Sequence, residues 1–187
     1  GKKMKPIYKP EQTMVFPRMW DASNDQGHAD FYASFLGIQK VQDKQTGQVS
    51  YERDPDMSDN IKFFFGYQVR TMYWRYFMWN FAGKQNDVQG LGESRNGNWI
   101  SGISFLDNMR LGNQSLMPDS LKNNKANNKF YLLPFILGVF GLIFQFSKKN
   151  KDGLIVSLLF LMTGMAIVFY LNQAGPQPRE RDYAYVG

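Results

Sequence analysis

Two stretches of the chain carry no charge, and both lie in its C-terminal third. Phe130 to Phe146 reads FYLLPFILGVFGLIFQF, 17 residues, and Leu154 to Leu171 reads LIVSLLFLMTGMAIVFYL, 18 residues. At about 1.5 Å of rise per residue they reach about 26 and 27 Å, close to the hydrocarbon thickness of a bilayer. Backbone groups in lipid must bond within their own segment, so both stretches are expected to be helices. Pro134 sits in the first turn of its segment, where a missing N–H costs least. Gly138, Gly141, Gly164 and Ala166 suit close helix–helix approach. Between the stretches lies SKKNKDG, Ser147 to Gly153, whose three lysines point to the cytoplasmic side. The pattern therefore predicts a transmembrane helix over 130–146, a cytoplasmic loop over 147–153 and a second transmembrane helix over 154–171. Residues 1–129 form a periplasmic or interfacial region and 172–187 a periplasmic loop.

Outside these spans the clearest element is Ser58 to Ala82. Ser58 is placed to cap it, Asp59 suits its positive end and Gly83 can close it. Its interior is crowded with Phe, Tyr and Trp nearly all round, yet carries Arg70 and Arg75. Such a helix belongs at a membrane interface, where arginines snorkel, or in a protein core. Asp30 to Gly37 suits a helical turn or two. Gln39 to Arg53 reads as a hairpin, two short alternating runs around a Gly-containing turn. The stretch KNNKANNK, Lys122 to Lys129, reads as a polar linker into the first span. The expected fold class is a mainly α integral membrane protein. A two-helix transmembrane hairpin is preceded by a partly irregular extramembrane region with an aromatic-rich helix.

Composition narrows the function. The 187 residues include no cysteine, which excludes a disulfide scaffold, a Cys-based zinc site and thiol catalysis. The net charge of +6 is mild and spread out, with no basic stripe for nucleic acid. The start at Gly1, without Met or an apolar leader, and the end at Gly187 read as a piece of a longer chain.

Most candidate constellations fail. His28, the one histidine, has too few neighbours of ligand type for a metal, and no nucleophile elbow accompanies it. Asp54, Asp56 and Asp59 lack the Gly and Glu of a calcium loop, and Gly90-Leu91-Gly92 follows no strand. Asn113-Gln114-Ser115 is a formal glycosylation sequon of a kind that arises by chance. Two polar clusters remain. At the end of the aromatic helix, Arg75, Trp79, Asn80, Gln85, Asn86 and Asp87 combine amides, a carboxylate and a ring, the chemistry that holds sugar hydroxyls and stacks on a sugar face. Just beyond the second span, Arg179 and Arg181 stand at headgroup depth, where a guanidinium fork can hold a lipid phosphate. Pairing with Glu180 and Asp182 in an internal ion network is the competing role.

The runs RYFMWNFAGKQNDVQG, NWISGISFLDNMRLGNQ, NKFYLLPFILGVFGL and YLNQAGPQPRERDYAYVG occur in that order. On these motifs the chain, from about Phe16 to Gly187, resembles the Bacteroidetes integral-membrane proteins catalogued as domain of unknown function 2723 and as glycosyltransferase family 117. Those proteins are similar to protein O-mannosyltransferases and share the multi-helix GT-C architecture. The resemblance implies a fragment of a longer, multi-pass enzyme of the inner (cytoplasmic) membrane. Such an enzyme moves a sugar from a polyprenyl-phosphate donor to a periplasmic protein or glycan acceptor, with an aspartate as general base. It implies that the catalytic acid lies in an earlier loop, so no catalytic residue is assigned here. A divalent cation is a cofactor the parent enzyme can use, and none is assigned to this stretch. The alternative is a non-catalytic, membrane-anchored interaction module.

Overall fold

The computed structural model describes residues 13–19, 27–42 and 49–175. The chain divides into two compact units, Gly1–Phe64 and Phe65–Gly187.

In the first unit, α1 (His28–Leu36) ends on Gly37, whose φ of 74° places it in the left-handed region favoured at helix ends. β1 (Lys40–Gln42) pairs antiparallel with β2 (Val49–Tyr51), Lys40 standing opposite Tyr51. These are the two arms of the expected hairpin, and its turn lies outside the described residues. α2 (Met57–Phe63) follows. The core is aromatic: Phe63 is fully buried and meets the edges of Tyr32 and Phe35, ring centroids 5.2 and 5.6 Å away. Asn60 is also buried, and its Oδ1 accepts from the backbone N–H groups of Arg18 and Met19 at 2.6 and 2.7 Å.

The cap of α2 is Asp56, not the expected Ser58. The Asp56 carboxylate accepts from the Asp59 N–H at 2.9 Å, and the Asp59 carboxylate accepts from the Asp56 N–H at 3.0 Å. Two charged acceptors at the positive end of a helix outcompete one hydroxyl. Ser58 instead donates to Asp56. Asp59 also forms an ion pair with Arg53. That pair, with the backbone bond, holds the Asp59 carboxyl below the ordinary range although burial opposes it. A depressed pKa contributes stability above the unfolded value, about 3.9, which is lost as pH falls through the folded value. Asp59→Asn should therefore melt earlier than the wild type at pH 7. The gap should close as pH drops below the carboxylate range, measured by circular dichroism melts across pH.

In the second unit the predicted aromatic helix is present with a different winding. Phe64–Trp74 is a π-helix, its turns widened by i→i+5 bonding, and α3 (Arg75–Phe81) continues it. The buried side carries polar groups: Gln68, Thr71 and Arg75 are buried, whereas Phe65 and Trp74 are exposed. The Gln68 and Arg75 side chains are both matched. Gln68 donates to Asn172 Oδ1 at 3.0 Å and to the Gln173 carbonyl at 2.9 Å. The aromatic side rests on the chain's own apolar helices. Phe77 stacks on Phe81 at 4.5 Å and meets Phe135 and Phe160 edge-on at 6.3 and 5.5 Å.

Next come α4 (Ser104–Leu111), a 3₁₀ turn over Gln114–Leu116 and α5 (Asp119–Lys122). The apolar helices are α6 (Leu133–Lys148), α7 (Asn150–Thr163) and α8 (Met165–Leu171).

The expected two-helix transmembrane hairpin is not formed. The protein is mostly helical with one small sheet. Among the described residues, one helix is long and apolar enough to cross a membrane: Asn150–Leu171, 22 residues, made of α7 and α8 and bent at Gly164. The other apolar run is shortened at its start. Phe130 donates to the Ala82 carbonyl at 2.8 Å and Tyr131 to that of Ser101 at 3.0 Å. Tyr131 and Leu132 take left-handed φ of 53° and 60°. These three residues belong to the polar region below, leaving 16 residues in α6, about 24 Å of helix. The predicted loop over 147–153 is also absent. Lys148 ends α6, Asn150 starts α7, and Lys149 alone joins them. Gly153 makes this tight joint feasible, since a Cβ there would stand 3.1 Å from the Phe146 ring. Gly138 and Gly141, expected at a helix contact, face open space.

Candidate functional site

Three short extended runs in the second unit form a frame. Ile100 donates to the Gly83 carbonyl at 2.9 Å, and Gln85 to that of Asn98 at 2.8 Å. Lys84 and Asn128 exchange backbone bonds at 3.2 and 3.0 Å. The run 83–85 thus lies between 98–100 and 128–130, and the last of these leads directly into α6. Gly83 has φ of 138°, and a Cβ there would meet the carbonyl oxygens of Asn128 and Ile100. Only glycine suits that crossing.

Most of the predicted sugar-binding cluster holds this frame together. Asn86 is fully buried; its Oδ1 accepts from the N–H groups of Gly97 and Val88 at 2.8 and 3.2 Å, and its Nδ2 donates to Arg95 at 2.9 Å. Gln85 is nearly as buried. It donates to the Ser94 carbonyl and to Gln114 Oε1, and accepts from Asn98 Nδ2 at 3.0 Å. Arg75 is anchored by the carbonyls of Thr71, Gly90 and Gly97 at 2.7, 3.1 and 3.4 Å. Trp79 is buried, donates to the Gly97 carbonyl at 3.2 Å, and has both Lys84 and Arg75 over its ring at 3.8 and 4.8 Å. Those cations occupy the ring as a sugar would. Asn80 is exposed and bonds back to Tyr76 within its helix, and Asp87 is exposed and accepts from Asn124 at 2.6 Å. The structure therefore brings Arg75, Trp79, Gln85 and Asn86 together as an internal network, with Asn80 and Asp87 outside it. Arg179 and Arg181 lie outside the described residues.

Beside the frame opens a cleft of about 390 Å³. Five amides reach it: Gln85, Asn108, Asn113, Gln114 and Asn127. Ser104 and Ser115 add hydroxyls, and Lys122 and Lys129 add positive charge. Ile100, Met117 and Leu121 give it an apolar floor. Asp107 borders the cleft but is committed. Its Oδ1 accepts from the Ser101 N–H and hydroxyl at 2.8 and 3.0 Å, and its Oδ2 from the Gly102 N–H at 2.8 Å. A carboxylate so engaged ties Ser101 and Gly102 to α4. It is not a base in waiting.

Only Gln85 of this cleft was singled out by sequence. Of its other amides, Asn113 and Gln114 come from the sequon and Asn127 from KNNKANNK, read as a chance motif and a linker, while Asn108 comes from the run NWISGISFLDNMRLGNQ, quoted for the resemblance alone. Density of Asn and Gln was the one available signal, and it does not say which amides face a common space. Among the described residues no group of three or more His, Cys, Asp or Glu comes together.

A model of a family of unknown function, DUF8416, matches residues 1–65. That match ends one residue beyond the first compact unit. No curated protein and no solved structure matches the chain.

Proposed function

We propose that this chain is a membrane-bound part of a glycosyltransferase, and that the amide-lined cleft holds the hydroxyls of a sugar or glycan acceptor. The observation that carries this reading is the cleft itself. Gln85 and Gln114 are spent on partners within the chain, whereas Asn108, Asn113 and Asn127 each have an amide donor or acceptor group beyond the bonds they make there. These groups match hydroxyls that both donate and accept, and the apolar floor suits a sugar's C–H face. The resemblance to the GT-C enzymes supplies the donor class, a polyprenyl-phosphate sugar, and a periplasmic protein or glycan acceptor. In this reading the chain binds and orients, and the reacting base belongs to another part of the enzyme.

The membrane location is supported by the Asn150–Leu171 helix and by large apolar side chains open to the surroundings, Leu137, Phe140, Ile155 and Leu159 each being more than 60% exposed. The cleft stands at the Lys129 end of α6 and the lysine group at its other end. Lysines at 148, 149 and 151 favour the cytoplasmic side of the inner membrane for the start of the Asn150–Leu171 helix.

Asn108 is the residue to change, because it is exposed and its side chain accepts a single local bond, from Gln114 N–H at 3.1 Å. Asn108→Ala should leave melting within about 0.5 kcal/mol of wild type. It should weaken binding of the chain to an oligosaccharide panel by about 1 kcal/mol, one neutral hydrogen bond. The same variant in the parent enzyme should lower transfer from a labelled polyprenyl-phosphate sugar. Saturable sugar binding with no effect on transfer would favour the interaction module. No sugar binding at all would reject the cleft as a glycan site.

A further inference from the structure

A second cavity, about 280 Å³, opens beside the C-terminal end of α4. Three arginines line it, Arg70 from the π-helix, Arg75 from α3 and Arg110 from α4, together with Trp74 and Trp99. Its lining includes no carboxylate among the described residues. Glu93 and Asp107 act on Arg75 and Arg110 by charge alone, their hydrogen bonds being spent elsewhere: Asp107 on Ser101 and Gly102, and Glu93 on the Leu91 N–H and Asn96 at 2.7 and 2.8 Å.

The three cations are held differently. Arg75 is fixed by its carbonyl partners and forms the back of the cavity. Arg110 lies flat over the Trp99 ring, 3.7 Å from its centroid, and donates one N–H to the Trp99 carbonyl. Partial burial lowers its pKa from the ordinary value, with Asp107 opposing. It remains a charged fork, exposed to solvent, with further N–H donors to offer. Arg70 is exposed and has no hydrogen bond or ion pair among the described residues. Gathering three positive charges on one apolar rim is costly unless an anion joins them. The volume is at the low end for ligand pockets, about 300 Å³, which fits an ion-sized head better than an extended molecule. Thr71 adds a hydroxyl to the lining.

We propose that this cavity is a phosphate-binding site, taking the phosphate of a lipid headgroup or of a small free ligand on the forks of Arg70 and Arg110. A guanidinium donates two parallel bonds to phosphate oxygens, and a carboxylate-free wall lets the phosphate keep its charge. The inference stands on the cavity alone and does not need the transferase reading, because its test measures binding and not transfer.

The full chain in detergent should be titrated with pyrophosphate, following the emission of its tryptophans, two of which line the site, and the heat of binding. Saturable binding is expected, weakened about tenfold by Arg70→Gln, the worth of one charged hydrogen bond. Melting should be unchanged by that substitution, since Arg70 is exposed and makes no hydrogen bond or ion pair among the described residues. Arg110→Gln should weaken binding at least as much, and Arg110→Lys should recover only part of it because lysine lacks the fork. If the Arg110 variants fold poorly, Arg70→Gln still decides. Displacement of pyrophosphate by short-chain phosphatidic acid, but not by diacylglycerol, would identify a lipid headgroup as the source. Binding of pyrophosphate without that displacement would identify a free phosphate. Absence of saturable binding by either ligand, or equal affinity in Arg70→Gln, would overturn the site.

Discussion

Asn86→Ala is expected to destabilise the chain by about 3 kcal/mol, because it removes the one side chain that satisfies three backbone groups of the 86–97 loop. Gly97 N–H is buried against Asn86 Oδ1, Val88 N–H shares that oxygen, and the Arg95 carbonyl takes the amide hydrogen. A buried backbone group left without a partner costs about 1–3 kcal/mol, and the cavity left by the amide adds to that. For a chain of this length the loss corresponds to a drop in Tm of about 9 °C. The neighbouring Asp87→Ala should stay within about 0.5 kcal/mol of wild type, since Asp87 is exposed. Thermal unfolding of both variants in detergent separates the two roles. Asn86→Ala with normal melting and selective loss of sugar binding would instead return Asn86 to the ligand site.

Gly164→Leu is the second large effect, also about 3 kcal/mol, and its direction runs against hydropathy. Leucine favours membrane insertion, so a reading by composition expects a better span. The structure places the Tyr73 ring and hydroxyl where the new Cβ would stand, the ring carbons lying 2.7 and 2.8 Å from it. Tyr73 is buried and cannot swing away freely, and overpacking of this kind costs about 1–3 kcal/mol or more. Tyr73→Ala should relieve part of the clash. The double variant should be less damaged than the sum of the singles by about 1–2 kcal/mol, the coupling expected of residues in contact. Additive losses in the thermal unfolding of the three variants would show that Tyr73 and Gly164 do not meet.

Several elements were legible in the sequence because they depend on local periodicity. The charge-free run after Asp152, the aromatic helix, α1 and the two arms of the hairpin all lie where the pattern puts them. The failures share one cause, competition between partners distant in sequence. Phe130 to Leu132 look like the start of a span, yet Ala82 and Ser101 claim the N–H groups of Phe130 and Tyr131. Ser58 looks like a cap, yet Asp56 and Asp59 satisfy each other first. A lysine-rich loop between two spans became helix ends because Gly153 lets Phe146 close over it.

Residue type alone determined that the chain carries a long apolar helix, that its polar chemistry rests on amides and arginines, and that thiol chemistry is absent. Helix length, apolar content and side-chain inventory are properties of the chain itself. Only the tertiary structure decided which amides are spent and which remain for a ligand. Asn86 and Asn108 are the same side chain. One is enclosed by Gly97, Val88 and Arg95, and the other borders an open cleft. Likewise Arg75 anchors a loop while Arg70, five residues earlier, stands at a cavity without a hydrogen bond or ion pair among the described residues. An amide or guanidinium bonds whatever lies within about 3 Å. What lies there is set by the meeting of the 83–85, 98–100 and 128–130 runs, whose encounter no local stretch of sequence encodes.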